Sequence, residues 1–226
     1  MNLNSNNRFH KTVFTALMIA IIFISANLIR IPTIGGFVHL GDCMVLLAAA
    51  LLGKKRGALA SGIGMALVDL YSGYIIWAPF TFIIKALMAY IAGAILEYNH
   101  RKSYFVPFLV AGIFMVVAYF FSGAIIAFLF TGSSNTIIGA LAYSAKDIIG
   151  NILQVGVGIV IALPLSKVLY KQEKKSFNWL KFLIFYLNTR NKRGCMKCYV
   201  NKTFKWNSIY LNIIISFMFN IQYILF

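Results

Sequence analysis

The residues of this 226-residue chain that could do chemistry are few, and most lie inside or beside long apolar stretches. Lys85 is the most informative of them. Pro79 suits the first turn of a helix, so Lys85 falls about 9 Å into that helix at 1.5 Å per residue. An ammonium at that depth demands a carboxylate partner, Asp42 or Asp69, or an anionic or polar ligand. Asp42 follows Gly41 at a helix start, where it either caps free N–H groups or serves a ligand, and His39 just before it shares both readings. Asp69 falls at a helix C-terminus, where a negative charge opposes the macrodipole, so capping does not explain it. A loop-organising hydrogen bond or a ligand contact does. Asn151 and Gln154 follow Asp147 at i+4 and i+7 on one helix face, and read either as inter-helix glue or as ligand contacts. Trp77, Tyr74 and Tyr119 make either a membrane-edge belt or a stacking wall for a flat ring.

Other polar residues have structural readings. Ser144-Ala-Lys-Asp147 has the spacing of a capping box, Glu97 pairs with Arg101 at i+4, and Lys146 points to the interface. An enzyme is not indicated: His10, His39 and His100 are scattered, with no HExxH, no G-x-S-x-G and no ligand cluster at metal spacing. No cofactor and no metal are expected. Without a GxxxxGK[ST] loop, energy for any transport must come from a partner or an ion gradient. Cys43 reads as packing, and Cys195-Met-Lys-Cys198 is a lone CxxC without a second ligand pair. The net charge of +16 does not imply nucleic acid, because the basic residues form short clusters between apolar blocks, where topology signals belong.

The elements that must position these residues are membrane helices. The chain is 61% hydrophobic and 12% charged, about half the charged fraction of a soluble domain. Apolar blocks predict helices near 12–30, 41–53, 56–72, 79–98, 104–130 and 145–170, an all-α bundle of six transmembrane helices. The first block is longer than a signal-peptide core and lacks an A-x-A-like site, so it reads as a retained helix. The second is short for a span and reads as oblique or as half of a hairpin. Arg8, Lys11, Lys54 to Arg56, Arg101, Lys102 and Lys167 to Lys175 fall in one set of flanks and connections. The connections 31–40, 73–78 and 131–144 contain no Lys or Arg. By the positive-inside rule the first set, with both ends of the six-helix core, is cytoplasmic and the second external. Arg30 snorkels at the outer end of helix 1.

The core domain is therefore 1–175. Residues 176–226 are a basic and apolar extension, in which 208–226 could form a seventh span and 177–187 an interfacial segment. This extension reads as foreign to the functional fold, of the kind a shifted or extended reading frame in AT-rich DNA produces.

Small residues recur at helix-packing spacing: Ala16/Ala20, Ala58/Gly62 and Ala60/Gly64. Internal packing accounts for the latter two pairs, whereas Ala16 and Ala20 suit either packing or a partner-facing groove. Taken with Ile31-Pro32-Thr33, Gly36 to Asp42, Leu51 to Ala60, Asp69 to Tyr74, Ala78 to Lys85 and Gly150 to Gln154, these motifs resemble an energy-coupling factor (ECF) transporter S component. The resemblance covers about residues 10–172 and points to the riboflavin-type group that includes hydroxymethylpyrimidine and pyridoxine carriers. It implies a vitamin-binding subunit with an external pocket, working with a transmembrane coupling protein and two cytoplasmic ATPases, and toppling in the membrane to release its ligand. It also implies that Ala16 and Ala20 dock the coupling protein. The resulting expectation is a vitamin-uptake subunit. Trp77 and Tyr119 would stack on an aromatic heterocycle, with polar contacts from Lys85, Asn151, Gln154 and Asp42. A stand-alone secondary transporter driven by an ion gradient is the alternative, and a membrane enzyme using Asp42, Asp69 and His39 the third reading.

Overall fold

The structure is a computed structural model that describes the backbone of residues 3–28, 30–33, 36–130 and 136–190, and the side chains of 11–28, 39–129 and 136–169. Its elements are α1 (Leu3–Leu28), β1 (Arg30–Thr33), β2 (Gly36–His39), α2 (Gly41–Tyr71), α3 (Ala78–Tyr98), α4 (Phe105–Phe130), α5 (Ile137–Ala145) and α6 (Ile148–Arg190). Among the described residues, four helical stretches are long and apolar enough to cross a membrane: Lys11–Leu28, Ala78–Tyr98, Phe105–Leu129 and Ile148–Leu169. Their outward faces are apolar, as Ile113, Val117, Phe121 and Ile125 of α4 and Ile149, Leu153 and Val160 of α6 show. Apolar exposure on that scale belongs against lipid.

The centre of the bundle is the first half of α2. Every residue from Gly41 to Ala50 is buried, which is the condition of a helix surrounded by protein on all sides. Gly53 ends this half with φ 75 and ψ 178, a conformation that is essentially glycine's alone. In a continuous helix Gly41 and Met65 would stand about 36 Å apart at 1.5 Å per residue. Instead a Cβ on Gly41 would lie 2.9 Å from Met65 Sδ, and one on Gly57 would lie 2.8 Å from Ala49 Cα. The chain therefore folds back at Gly53, and α2 is a helical hairpin with antiparallel arms. The predicted helices 41–53 and 56–72 are these arms. Lys54, Lys55 and Arg56 open the second arm rather than forming a loop.

Both arms need close neighbours. α2 packs chiefly against α3 and α1. A Cβ on Gly93 of α3 would stand 2.6 Å from Lys54 Cα, so only a glycine lets α3 pass the hairpin bend. One turn further on, Glu97 receives the backbone N–H of Lys54 at 3.1 Å and its ammonium at 3.0 Å. The charge of Arg101 also acts on Glu97, as the sequence spacing anticipates, and Lys54 is an added, directly bonded partner. α3 ends at Tyr98 and Arg101 has φ 57, so Arg101 lies beyond the helix end and not at a helical i+4 position.

Three further expectations change. The connection 31–40 is not featureless: Arg30–Thr33 and Gly36–His39 pair as an antiparallel hairpin, with Arg30 opposite His39. Among the described residues the bundle thus carries one small sheet, and Arg30 belongs to a strand rather than to the end of helix 1. The connection 131–144 contains α5, with Thr136 accepting a hydrogen bond from the Gly139 N–H at 3.3 Å as its N-cap. Helix 6 starts at Ile148 and continues to Arg190, well past 170. The chain forms two compact units, Met1–Leu169 and Tyr170–Phe226. The CxxC and the stretch 208–226 lie outside the described residues, and the side chains of 177–187 do too.

Gly93→Val is expected to lower the unfolding free energy of the detergent-solubilised protein by about 1–3 kcal/mol, the usual cost of overpacking. Gly156→Ala, inside α6 where a Cβ would meet nothing within 4 Å, is expected to keep or slightly raise the melting temperature.

Candidate functional site

Gly41 begins α2 beside His39, whose Nδ1 accepts the Gly41 N–H at 3.2 Å. This turn sets Asp42 in the first turn of α2, where the helix dipole favours a carboxylate. Asp42 is wholly buried. Its Oδ1 accepts a hydrogen bond from the Lys85 ammonium in an ion pair, and its Oδ2 accepts the Gln154 amide N–H at 2.9 Å. Lys85 is wholly buried as well. Of the partners foreseen for Lys85, the structure selects Asp42. Three elements that are distant in sequence, α2, α3 and α6, thus meet at one carboxylate.

Gly158 makes the α6 contact possible. A Cβ there would lie 3.1 Å from Asp42 Cβ and 3.2 Å from the Cys43 nitrogen. Because Gly158 lies one turn beyond Gln154, its close approach brings the amide within reach of the carboxylate.

Trp77, Thr81 and Lys85 follow one another at i+4 along α3, and Tyr119 of α4 lies against all three. Its hydroxyl pairs with Thr81 Oγ1 at 3.2 Å, its ring lies 5.1 Å from Lys85 Nζ, and its centroid is 6.2 Å from that of Trp77 at 37° between planes. Trp77 and Tyr119 are half-buried, so this ladder runs from the accessible aromatic pair down to the sealed ion pair. Asp69 is also half-buried and close enough for its charge to act on the Tyr119 hydroxyl. Tyr74 is exposed just before α3, its carbonyl accepting the Trp77 N–H at 3.0 Å. Asn151, half-buried, stands one turn nearer the start of α6 than Gln154.

The structure therefore divides the residues singled out in the sequence. Asp42, Lys85 and Gln154 form a closed buried network, with His39 beside it. Trp77, Tyr119, Asn151, Asp69 and Tyr74 retain accessible surface. Ala16 and Ala20 are remote from both groups in the chain and lie exposed on α1. Chemically the arrangement offers aromatic faces and a few hydrogen-bonding groups. Among the described residues no three His, Cys, Asp or Glu side chains are grouped to hold a metal.

One residue that sequence reasoning missed joins this region, as does one to which it assigned another role. Thr81 anchors Tyr119, and its i+4 spacing from both Trp77 and Lys85 was the available signal. Ser144 does not cap helix 6. It lies inside α5, and its hydroxyl donates to the Phe120 carbonyl of α4 at 2.5 Å. Asp147 is left with Oδ1 buried and unpartnered among the described residues. Burial pushes its carboxyl above the ordinary aspartate range, against the neighbouring Lys146 charge. Lys146 itself lies 3.6 Å from the centre of the Tyr143 ring.

Comparison with known proteins adds sequence and fold relatives. Residues 6–171 match the family described as ECF-type riboflavin transporter, S component. The thiamine precursor transporter HmpT of Lactococcus lactis subsp. cremoris is 29% identical over 172 residues, 75% of this chain and 93% of the relative. A Pyrococcus woesei protein encoded in the gap 3′ region is 32% identical over 145 residues, 64% of this chain and 89% of the relative. Among solved structures, the S-component for biotin from an ECF-type ABC transporter superposes with a TM-score of 0.54. That match has 21% identity and covers 74% of this chain and 95% of the other, a likeness of fold.

Removing one member of a buried ion pair strands the other, at a cost of about 3–5 kcal/mol, whereas replacing both with apolar groups is often neutral. Lys85→Met and Asp42→Leu are each expected to destabilise by that amount in denaturant titrations. The double variant should lose clearly less than the sum.

Proposed function

The chain belongs to the family of ECF-type riboflavin transporter S components and is the substrate-binding subunit of such a transporter, and we propose that its cargo is a small aromatic heterocyclic vitamin or vitamin precursor captured from outside the cell. The observation that carries this reading is the half-buried Trp77–Tyr119 pair, flanked in sequence and space by Asp69 and set above a closed polar network. Two aromatic faces suit a flat ring, and Asn151 and Asp69 supply hydrogen bonds at its edge. His39, Asp42, Lys85 and Gln154 hold the floor of the site in shape, and Tyr74 lies at its rim. The roles of the relatives, one a thiamine precursor transporter and one a biotin S-component, support small ring-bearing vitamins as a class.

The bundle crosses the membrane six times in this reading: α1, the two arms of α2, α3, α4 and α6. The basic residues at the α2 bend, the α3–α4 turn and the start of α1 then face the cytoplasm. Trp77 and the strand hairpin belong to the outer half. The functional core spans 1–175 in this reading. Mass spectrometry of small molecules released from the purified protein tests the cargo. Recovery of a ring-bearing vitamin or precursor is expected, and a lipid or a peptide alone would overturn the proposal.

Release inside requires the coupling protein and its two cytoplasmic ATPases. Ala16 and Ala20 lie exposed at i and i+4 on α1, beside the exposed Val13, Leu17 and Ile24, and form the surface on which the coupling protein docks. Ala16→Leu is expected to leave vitamin binding unchanged while cutting uptake in cells at least about tenfold, the effect of losing some 1.4 kcal/mol at that contact. Equal loss of binding and uptake would remove Ala16 from the docking surface. Uptake by proteoliposomes without the ATPases would favour an ion-coupled carrier instead.

A further inference from the structure

Resting on the vitamin-carrier reading, we infer that Gly123 of α4 and Ser144 of α5 are positioning residues for the cargo: together they form the seat that holds the Trp77 ring in the binding site. Trp77 is the N-cap residue of α3, so its ring is carried at the helix edge and is oriented by what packs against it. One neighbour is Tyr119, whose own hydroxyl is tied to Thr81. Another is the backbone of α4 at Gly123. A Cβ there would lie 3.5 Å from Trp77 Cη2, an ordinary contact distance. The same Cβ would lie 2.7 Å from Ser144 Oγ, closer than a side chain tolerates. Glycine at this one position therefore lets the indole edge, α4 and Ser144 converge.

Ser144 is held at that point by its hydroxyl, which donates to the Phe120 carbonyl at 2.5 Å. The bond matters because α5 has little else to anchor it. A helix of nine residues is too short to stand alone, and its buried residues are Ala140 and Ser144, one turn apart. Ile137 and Ile138 are exposed. Ala140 contributes only a methyl, so Ser144 supplies the directional tie. α4 is braced at the same level, where the Ser122 hydroxyl donates to the Tyr119 carbonyl at 3.1 Å. The two aromatic rings are thus set by small polar neighbours: Tyr119 by Thr81, and Trp77 by Ser144 across the bare backbone of Gly123.

The test titrates the full-length protein in detergent by calorimetry with riboflavin, thiamine, hydroxymethylpyrimidine and biotin, and the tightest binder serves as the probe. Trp77 emission is read without ligand in a Trp179→Phe/Trp206→Phe background, which leaves it the one tryptophan. In Gly123→Ala the new methyl displaces the Ser144 hydroxyl. Probe binding is expected to weaken at least about tenfold, the order of one stacking contact, and Trp77 emission to move to longer wavelength. Ser144→Ala alone is expected to weaken binding about threefold, the loss of one hydrogen bond. The double variant removes the colliding oxygen and leaves Ser144 Cβ at 3.4 Å, so affinity and emission should recover to the Ser144→Ala level. Wild-type affinity and emission in Gly123→Ala overturn the inference and leave the carrier reading standing. Shifted emission with wild-type affinity also overturns it, because the seat then serves no cargo. A double variant no better than Gly123→Ala overturns it as well, by reducing the effect to a general packing defect. If Gly123→Ala fails to fold, Ser144→Ala decides alone by the same two readings. Failure of every compound to bind wild type overturns the carrier reading and the inference with it.

Discussion

A lysine and an aspartate buried together in the middle of an apolar bundle constrain everything packed around them. Either charge alone would be untenable there, since an isolated ion in a low-dielectric interior costs far more than the whole stability of a domain. Their pairing fixes α3 against α2, and the Gln154 amide on the other carboxylate oxygen fixes α6 to the same point. Apolar packing is tolerant of sliding and rotation; a carboxylate with two directional partners is not. The network therefore gives the bundle a register that Leu, Ile and Val side chains could not impose by themselves.

Reaching that register depends on backbone close approach. The buried first arm of α2 can reverse at Gly53 only because that position adopts φ 75, and α3 can pass the reversal only because Gly93 has no Cβ. Gly158 plays the corresponding part where α6 meets the start of α2. The strand pair β1–β2 leads into Gly41 and settles its backbone groups within its own ladder. That is the condition for non-helical chain near a membrane interior. From this floor the α3 ladder of Lys85, Thr81 and Trp77 rises to the accessible aromatic faces, with Tyr119 touching each rung.

Much of this was readable in the sequence. Hydropathy located the helices, because a membrane helix must be apolar along its whole length. Depth counting from Pro79 identified Lys85 as a residue in need of a partner, and Asp42 was one of two candidates. The short apolar run 41–53 carried the sign of a hairpin arm. What stayed hidden was local geometry. The strand pair is four residues a side and contains Pro32, which weakens any strand signal. The nine-residue α5 is too short to stand out from a loop rich in Gly, Ser and Thr. Glu97 had Arg101 at i+4 on paper, whereas its directly bonded partner, Lys54, comes from the distant α2 bend. Ser144 matched a capping box by spacing, yet α5 had already claimed it.

The equal and opposite charges of Asp42 and Lys85 also bear on electrical work. A single elementary charge carried through the membrane potential exchanges about 2.3 kcal/mol per 100 mV. A bundle holding an unpaired lysine at its centre would feel that potential whenever it tilted or shifted in the bilayer. Because the two charges are in contact, they form a short dipole with no net charge, and their contributions nearly cancel at every orientation. The centre of this protein can thus reorient in an energised membrane without the voltage either driving or opposing it.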